Sequence, residues 1–129
     1  MESVFSKIIK GDITAYKIAE NDDFLAFLDI MPLKEGHTLV IPKKQIDYIY
    51  DLPDKLLADL IVFSKTVAKK IENVIPCSRI GITVIGLEVP HAHVHLIPIN
   101  GIADMNFSKP KLNLSSEELQ QIADKINCV

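Results

Sequence analysis

The stretch His91-Ala92-His93-Val94-His95-Leu96-Ile97 carries three of the chain's four histidines within five residues, alternating with apolar residues. Side chains along an extended strand alternate faces with period two. The pattern predicts one strand with all three imidazoles on one face. Ala92, Val94 and Leu96 then anchor the other face to a core. Imidazole titrates near neutral pH, so the polar face can supply a base, an acid, a nucleophile or a metal ligand.

Working outward, Ile80–Ile85 reads as a preceding strand, turned into the histidine strand by Gly86-Leu87-Glu88-Val89-Pro90. The strand runs on to about Pro98. Upstream, Ala15–Glu20 and Phe24–Asp29 read as a hairpin across Asn21-Asp22-Asp23. His37–Ile41 reads as a third strand closed by Pro42, which cannot donate to a ladder. Phe5–Lys10 suits one or two helical turns ended by Gly11.

The longest helical pattern begins near Asp51, with Asp51 as cap and Pro53 and Asp54 in the first turn. Leu56, Leu57, Leu60, Ile61, Val67, Ala68 and Ile71 recur at helical spacing, with Lys65, Lys69 and Lys70 facing away or lying late in the helix. This helix covers a sheet. A last helix, about 115–127, starts at Ser115, where Ser115 and Glu118 make a capping box and Leu114 and Leu119 a hydrophobic staple. The sum is an α+β chain with a mainly antiparallel sheet.

The chain has 129 residues, 48% hydrophobic and 24% charged, with a net charge of −3. That suits one domain, residues 1–129, with a real core. The charge argues against nucleic acid or an anionic membrane as the main partner. The first dozen residues read as neither a signal peptide nor a membrane span. Cys77 and Cys128 lack metal-ligand spacing and read as reduced thiols of a cytoplasmic protein.

Three readings of the histidines compete. Satisfied polar groups lining a structural pocket suit a lone histidine, but each buried imidazole needs a partner. A zinc site is the second, with His37 as a further ligand and Asp29 or Glu88 completing it or accepting from it. The third is nucleophilic attack at phosphorus by a neutral imidazole, with its neighbours donating to the phosphoryl oxygens. Spacing alone does not separate the second from the third.

The run His91–Ile97 resembles the histidine triad (HIT) signature, His-x-His-x-His followed by two apolar residues. Phe5–Ile13, Leu25–Ile30 with Pro32, and Gly36–Lys44 resemble the other blocks of its Hint branch, in family order. The resemblance implies a HIT-like α+β fold. It has a five-stranded, mainly antiparallel sheet, one long helix and one or two shorter ones. It also implies a homodimer joined through its sheets. The implied activity is metal-independent and cofactor-free hydrolysis or transfer of nucleotidyl groups, with a purine nucleotide or nucleotidyl conjugate as ligand.

Carried over by position, His93 matches the nucleophile on the α-phosphorus of a nucleoside 5′-phosphoramidate. His95 matches a donor to phosphate. His91 matches the residue whose carbonyl holds the other ring nitrogen of His93, and His37 the outlying supporting histidine. Asp29 matches the carboxylate that takes the ribose hydroxyls. Ile8, Phe27 and Ile30 are candidates for the slot around the base, and equally for core.

Two departures stand out. Ser3 and Ser6 occupy the places of a zinc-binding Cys pair found in some Hint-branch members, so no structural zinc is expected there. The loop before the triad is short, with Leu87 and Glu88 where the family carries Gln and a hydroxyl-bearing residue. Either Glu88 turns outward and the Glu88 and Val89 amides hold phosphate, or Glu88 meets a cationic leaving group. The rival functions are a dinucleoside polyphosphate hydrolase of the Fhit kind, a nucleotide-binding module with little turnover, and a histidine-ligated metal hydrolase. Gly101–Val129 lies outside the resemblance and is placed near the dimer contact or the pocket mouth.

Overall fold

A computed structural model describes residues 1–128. In chain order the elements are α1 (Val4–Lys10), β1 (Lys17–Glu20), β2 (Phe24–Leu28), β3 (Thr38–Pro42), α2 (Asp54–Glu72), β4 (Arg79–Thr83), β5 (Val94–Ile99) and α3 (Ser116–Asn127). Short 3-10 turns lie at Ile49–Asp51 and Ile102–Met105. The five strands form one antiparallel sheet in the order β1-β2-β3-β5-β4.

Period-two alternation divides the sheet's two faces. Phe24, Ala26, Leu28, Val40, Val94 and Leu96 join α2 and α3 in the larger core. Leu25, Phe27, Leu39 and Ile41 pack on the opposite side with Phe5 and Ile8 of α1. From α2, Leu60, Val67 and Ile71 are fully buried. Each such side chain contributes about 1.5–3 kcal/mol. The sheet-covering role expected of this helix therefore holds.

Two local expectations need correction. Asp51 does not cap α2: its amide bonds back to Tyr48, closing a 3-10 turn, and the helix starts after Pro53, whose carbonyl accepts from Leu57. Ile61 faces solvent, while Ser64 is buried and returns its hydroxyl to the Leu60 carbonyl at 2.8 Å. Lys70 lies in the last turn, as expected, and its ammonium donates to the Ile18 carbonyl and to Asn127 Oδ1, tying α2 to β1 and α3.

The capping box at Ser115 and Glu118 is formed. Gly36 has φ 92°, and a Cβ there would lie 3.1 Å from Ile75 Cγ1. Both facts require glycine at the turn that delivers His37 to β3. Cys77 and Cys128 are free thiols.

Candidate active site

The histidine run is not one continuous strand. β5 begins at Val94, and upstream the Ala92 amide leaves the ladder to donate to the Ile46 carbonyl at 2.7 Å. Pro42 ends β3 and has no amide with which to extend the pairing. Its carbonyl instead accepts from His91 Nε2 at 2.7 Å. The rings still gather on the α1 side of the sheet. Phe5 meets His91 and His93 edge-on, and His93 and His95 have ring centroids 5.0 Å apart. His37 joins them from the residue before β3, 5.3 Å from His95.

The hydrogen bonds fix where each imidazole proton sits. Pro42 O can only accept, so His91 Nε2 carries its proton. Burial lowers the His91 pKa and keeps the ring neutral, so its Nδ1 accepts from Ser3 Oγ at 2.8 Å. The His91 carbonyl accepts from His93 Nδ1 at 2.7 Å, which leaves the lone pair of neutral His93 on Nε2.

A second chain runs from the other side. The Leu33 amide donates to His37 Nδ1 at 3.0 Å. His37 Nε2–H therefore donates to His95 Nδ1, also at 3.0 Å. The proton of neutral His95 is left on Nε2. Burial holds both rings neutral, His37 pushed down to about 3 and His95 to about 4, with neighbouring imidazoles adding to the effect. Among the described residues no fully buried side-chain nitrogen or oxygen lacks a partner, and neither His93 Nε2 nor His95 Nε2 has a protein partner. Both atoms therefore reach solvent, one as acceptor and one as donor.

Asp29 follows β2 and is mostly buried rather than solvated. Its Oδ1 accepts from the Met31 amide at 2.8 Å, and its Oδ2 lies 3.6 Å from His37 Nε2. Desolvation raises its pKa, opposed by the Met31 bond. Asp29, His37 and His95 bring one potential ligand atom each within 4.8 Å. The His37–His95 bond occupies one nitrogen of each ring, so a metal held through those two nitrogens would have to break it.

Ile8 and Phe27 are buried in the α1-side core, whereas Ile30 is 65% exposed. Val89 packs against that core, and Glu88 is exposed near enough to Asp29 to raise its pKa. No backbone carbonyl among the described residues accepts from the Glu88 or Val89 amide.

Sequence reasoning placed the segment after β5 near the dimer contact or the pocket mouth but singled out none of its residues for the site. Phe107 sets its ring edge against His95 at 4.9 Å and His37 at 6.1 Å. Lys111 returns its ammonium to the Phe107 and Lys109 carbonyls, 5.9 Å from the Phe107 ring. The Leu112 amide ties this strap to the Pro32 carbonyl. No periodic signal marks it, because it is irregular and its contacts are distant in sequence.

Residues 10–101 match the family model described as HIT domain. The chain is 37% identical over 130 residues to adenosine 5′-monophosphoramidase hnt1 of Schizosaccharomyces pombe, covering 98% of this chain and 97% of that protein. Among solved structures, a HIT-like protein from Bartonella henselae superposes with a TM-score of 0.84 at 30% identity, over 98% of this chain and 95% of that one. A hypothetical histidine triad nucleotide-binding protein from Sulfolobus tokodaii gives 0.81 at 28% identity, over 95% and 88%. With the four-imidazole arrangement and the antiparallel sheet, these matches assign the chain to the HIT domain family.

Proposed function

We propose that this protein is a metal-independent nucleotidyl hydrolase that cleaves nucleoside 5′-phosphoramidates or related conjugates. The observation that carries the reading is the pair of proton placements at the site mouth: a lone pair on His93 Nε2 beside a proton on His95 Nε2. An attacking atom and a donor for developing negative charge are then in place before substrate arrives.

His93 Nε2 attacks the α-phosphorus. The P–N bond breaks, its electron pair goes to the departing nitrogen, and that nitrogen takes a proton from solvent water at the site mouth. His95 Nε2–H donates to a non-bridging oxygen as charge builds. Water then displaces His93 from the nucleotidyl-imidazole, releasing the monophosphate. Asp29 receives the ribose hydroxyls, with Oδ2 free of backbone contacts. The Ile8 and Phe27 side, with Ile30 at its rim, faces the base. The Glu88 and Val89 amides contact phosphate while the Glu88 carboxylate stays outside.

The homology to a phosphoramidase over nearly the whole chain supports this reaction class. Outer strand β4 and the chain after it expose Ile82, Val84, Ile85 and Leu87, which supports a homodimer joined at that edge. The two free thiols are consistent with a reducing, cytoplasmic setting.

The test is hydrolysis of adenosine 5′-phosphoramidate with a chelator present. The native chain turns over, and His93→Ala binds AMP without turnover. Chelator-sensitive activity in the native chain would overturn the reading in favour of a metal hydrolase.

A further inference from the structure

Ser3 precedes α1 and is 3% exposed, buried against fully buried His91. Three contacts hold it. Its amide donates to Gln45 Oε1 at 2.8 Å, and its hydroxyl oxygen accepts from the Ser6 amide at 3.0 Å, capping α1. Its single hydroxyl proton has two candidate acceptors, His91 Nδ1 at 2.8 Å and Ser6 Oγ at 3.3 Å. His91 Nδ1 is the nearer and has no other donor, so the proton goes there. Ser6 spends its own proton on Gln45 Oε1 at 2.6 Å. Gln45 is held in turn, its Nε2 donating to the Met1 carbonyl at 2.8 Å.

The consequence reaches His93 through one residue. The His91 ring is pinned at both nitrogens, by Ser3 on one side and the Pro42 carbonyl on the other. The same residue's carbonyl takes the proton of His93 Nδ1 at 2.7 Å. The two ring bonds hold His91 from its side chain, while the Ala92 amide on the Ile46 carbonyl holds the peptide plane that carries the His91 carbonyl; a shift of this residue would cost His93 the bond that keeps its lone pair on Nε2.

We propose that Ser3 is a positioning residue for His93, its hydroxyl fixing the His91 ring and thereby the carbonyl that sets the His93 tautomer. This rests on the reading of His93 as the attacking group. It goes beyond that reading by assigning a task to Ser3, which is none of the groups given to phosphate, ribose or base.

The test separates positioning from helix capping. Glycine is a tolerated N-cap, so Ser3→Gly deletes the hydroxyl with little loss to the start of α1. Ser3→Thr keeps both cap and donor. The first readout is the nitrogen-15 tautomer signature of His91 and His93 in unliganded protein. In the native chain and Ser3→Thr, His91 is protonated on Nε2 and His93 on Nδ1. In Ser3→Gly, the His91 signature stays on Nε2, held by the Pro42 carbonyl, and the His93 signature shifts toward a mixture.

The second readout is adenosine 5′-phosphoramidate turnover. Ser3→Gly lowers kcat by about tenfold or more with KM within about twofold, since misplacement of an attacking atom acts on the reacting step. A folded Ser3→Gly with native tautomers and native kcat overturns the proposal. So does a loss of kcat with the His93 tautomer unchanged. The tautomer signatures need no reaction: if the native chain is inert toward phosphoramidate but Ser3→Gly still shifts that of His93, the substrate reading fails and the positioning role stands.

Discussion

His37 Nε2 donates to His95 Nδ1 at 3.0 Å, and this bond alone decides that the outward nitrogen of His95 is a donor. The Leu33 amide on His37 Nδ1 sets the direction of the chain. A neutral donor can meet a phosphoryl oxygen without the cost of burying a full positive charge. The arrangement therefore depends on both rings staying neutral.

That dependence gives a stability profile. Both rings have folded pKa values depressed below the ordinary 6.5, to about 3 for His37 and about 4 for His95. Above pH 6.5 both states are neutral and the native contacts keep their full value. As pH falls below 6.5 the unfolded chain takes up protons that the folded chain refuses, so stability drops progressively toward pH 3. The urea midpoint of the native protein therefore declines between pH 6.5 and 5, above the range of ordinary carboxylates. His37→Gln, though less stable at pH 8, shows a shallower decline. Equal slopes in the two proteins would refute the assignment.

Phe107 tests the cause of those depressed values. Its ring edge shields His95 and His37 from water. Burial is the leading cause of both shifts, so Phe107→Ala raises both pKa values toward 6.5. Proton NMR titration of the imidazoles reads this directly. Phe107 is only partly buried, so the stability cost is about 1–2 kcal/mol, below that of a fully buried Phe. Phe107→Leu keeps most of the shielding. Unmoved imidazole titrations in Phe107→Ala would show that the strap is not what dries the site.

Much of this was legible in the sequence where the signal was local. The alternation of Val94, His95 and Leu96, the capping box at Ser115 and the helical stripe of Leu60, Val67 and Ile71 all persist. The misreadings occur where a distant group changes what a residue does. His91 and His93 leave the ladder because Pro42 ends it and Ile46 takes the Ala92 amide. Phe107 and Ser3 reach the histidines across separations that no period encodes. Family resemblance supplied roles for His37 and Asp29; periodicity had nothing to say about either.

The edge of the sheet yields a prediction on assembly. Ile82 on β4 is 52% exposed, and Val84 and Ile85 continue the apolar surface. An unprotected apolar edge strand invites pairing with another chain. The native protein should elute as a dimer in size-exclusion chromatography with light scattering. Ile82→Lys places a charge on that edge and shifts the protein to monomer with its helical circular dichroism unchanged. A native monomer at micromolar concentration would remove the homodimer from the proposed function.

Asp29 gives the sharpest test of substrate class. Its Oδ1 is committed to the Met31 amide, while Oδ2 is free of backbone contacts and stands 3.6 Å from His37. If Oδ2 receives the ribose hydroxyls, a ribonucleoside substrate gains a charge-assisted bond worth about 1.5–3 kcal/mol that a deoxy analogue forgoes. The native enzyme should then prefer adenosine 5′-phosphoramidate over its 2′-deoxy counterpart in kcat/KM by about tenfold or more. Asp29→Asn keeps the side-chain shape and loses the charge, so it lowers activity on the ribose substrate by more than on the deoxy substrate, which has only its 3′-hydroxyl to lose. The ratio is the informative quantity, because a general weakening of the site lowers both substrates together. Equal losses on both would mean that Asp29 serves the His37–His95 pair rather than the sugar, and the tautomer signature of His95 in the same variant would then change with it.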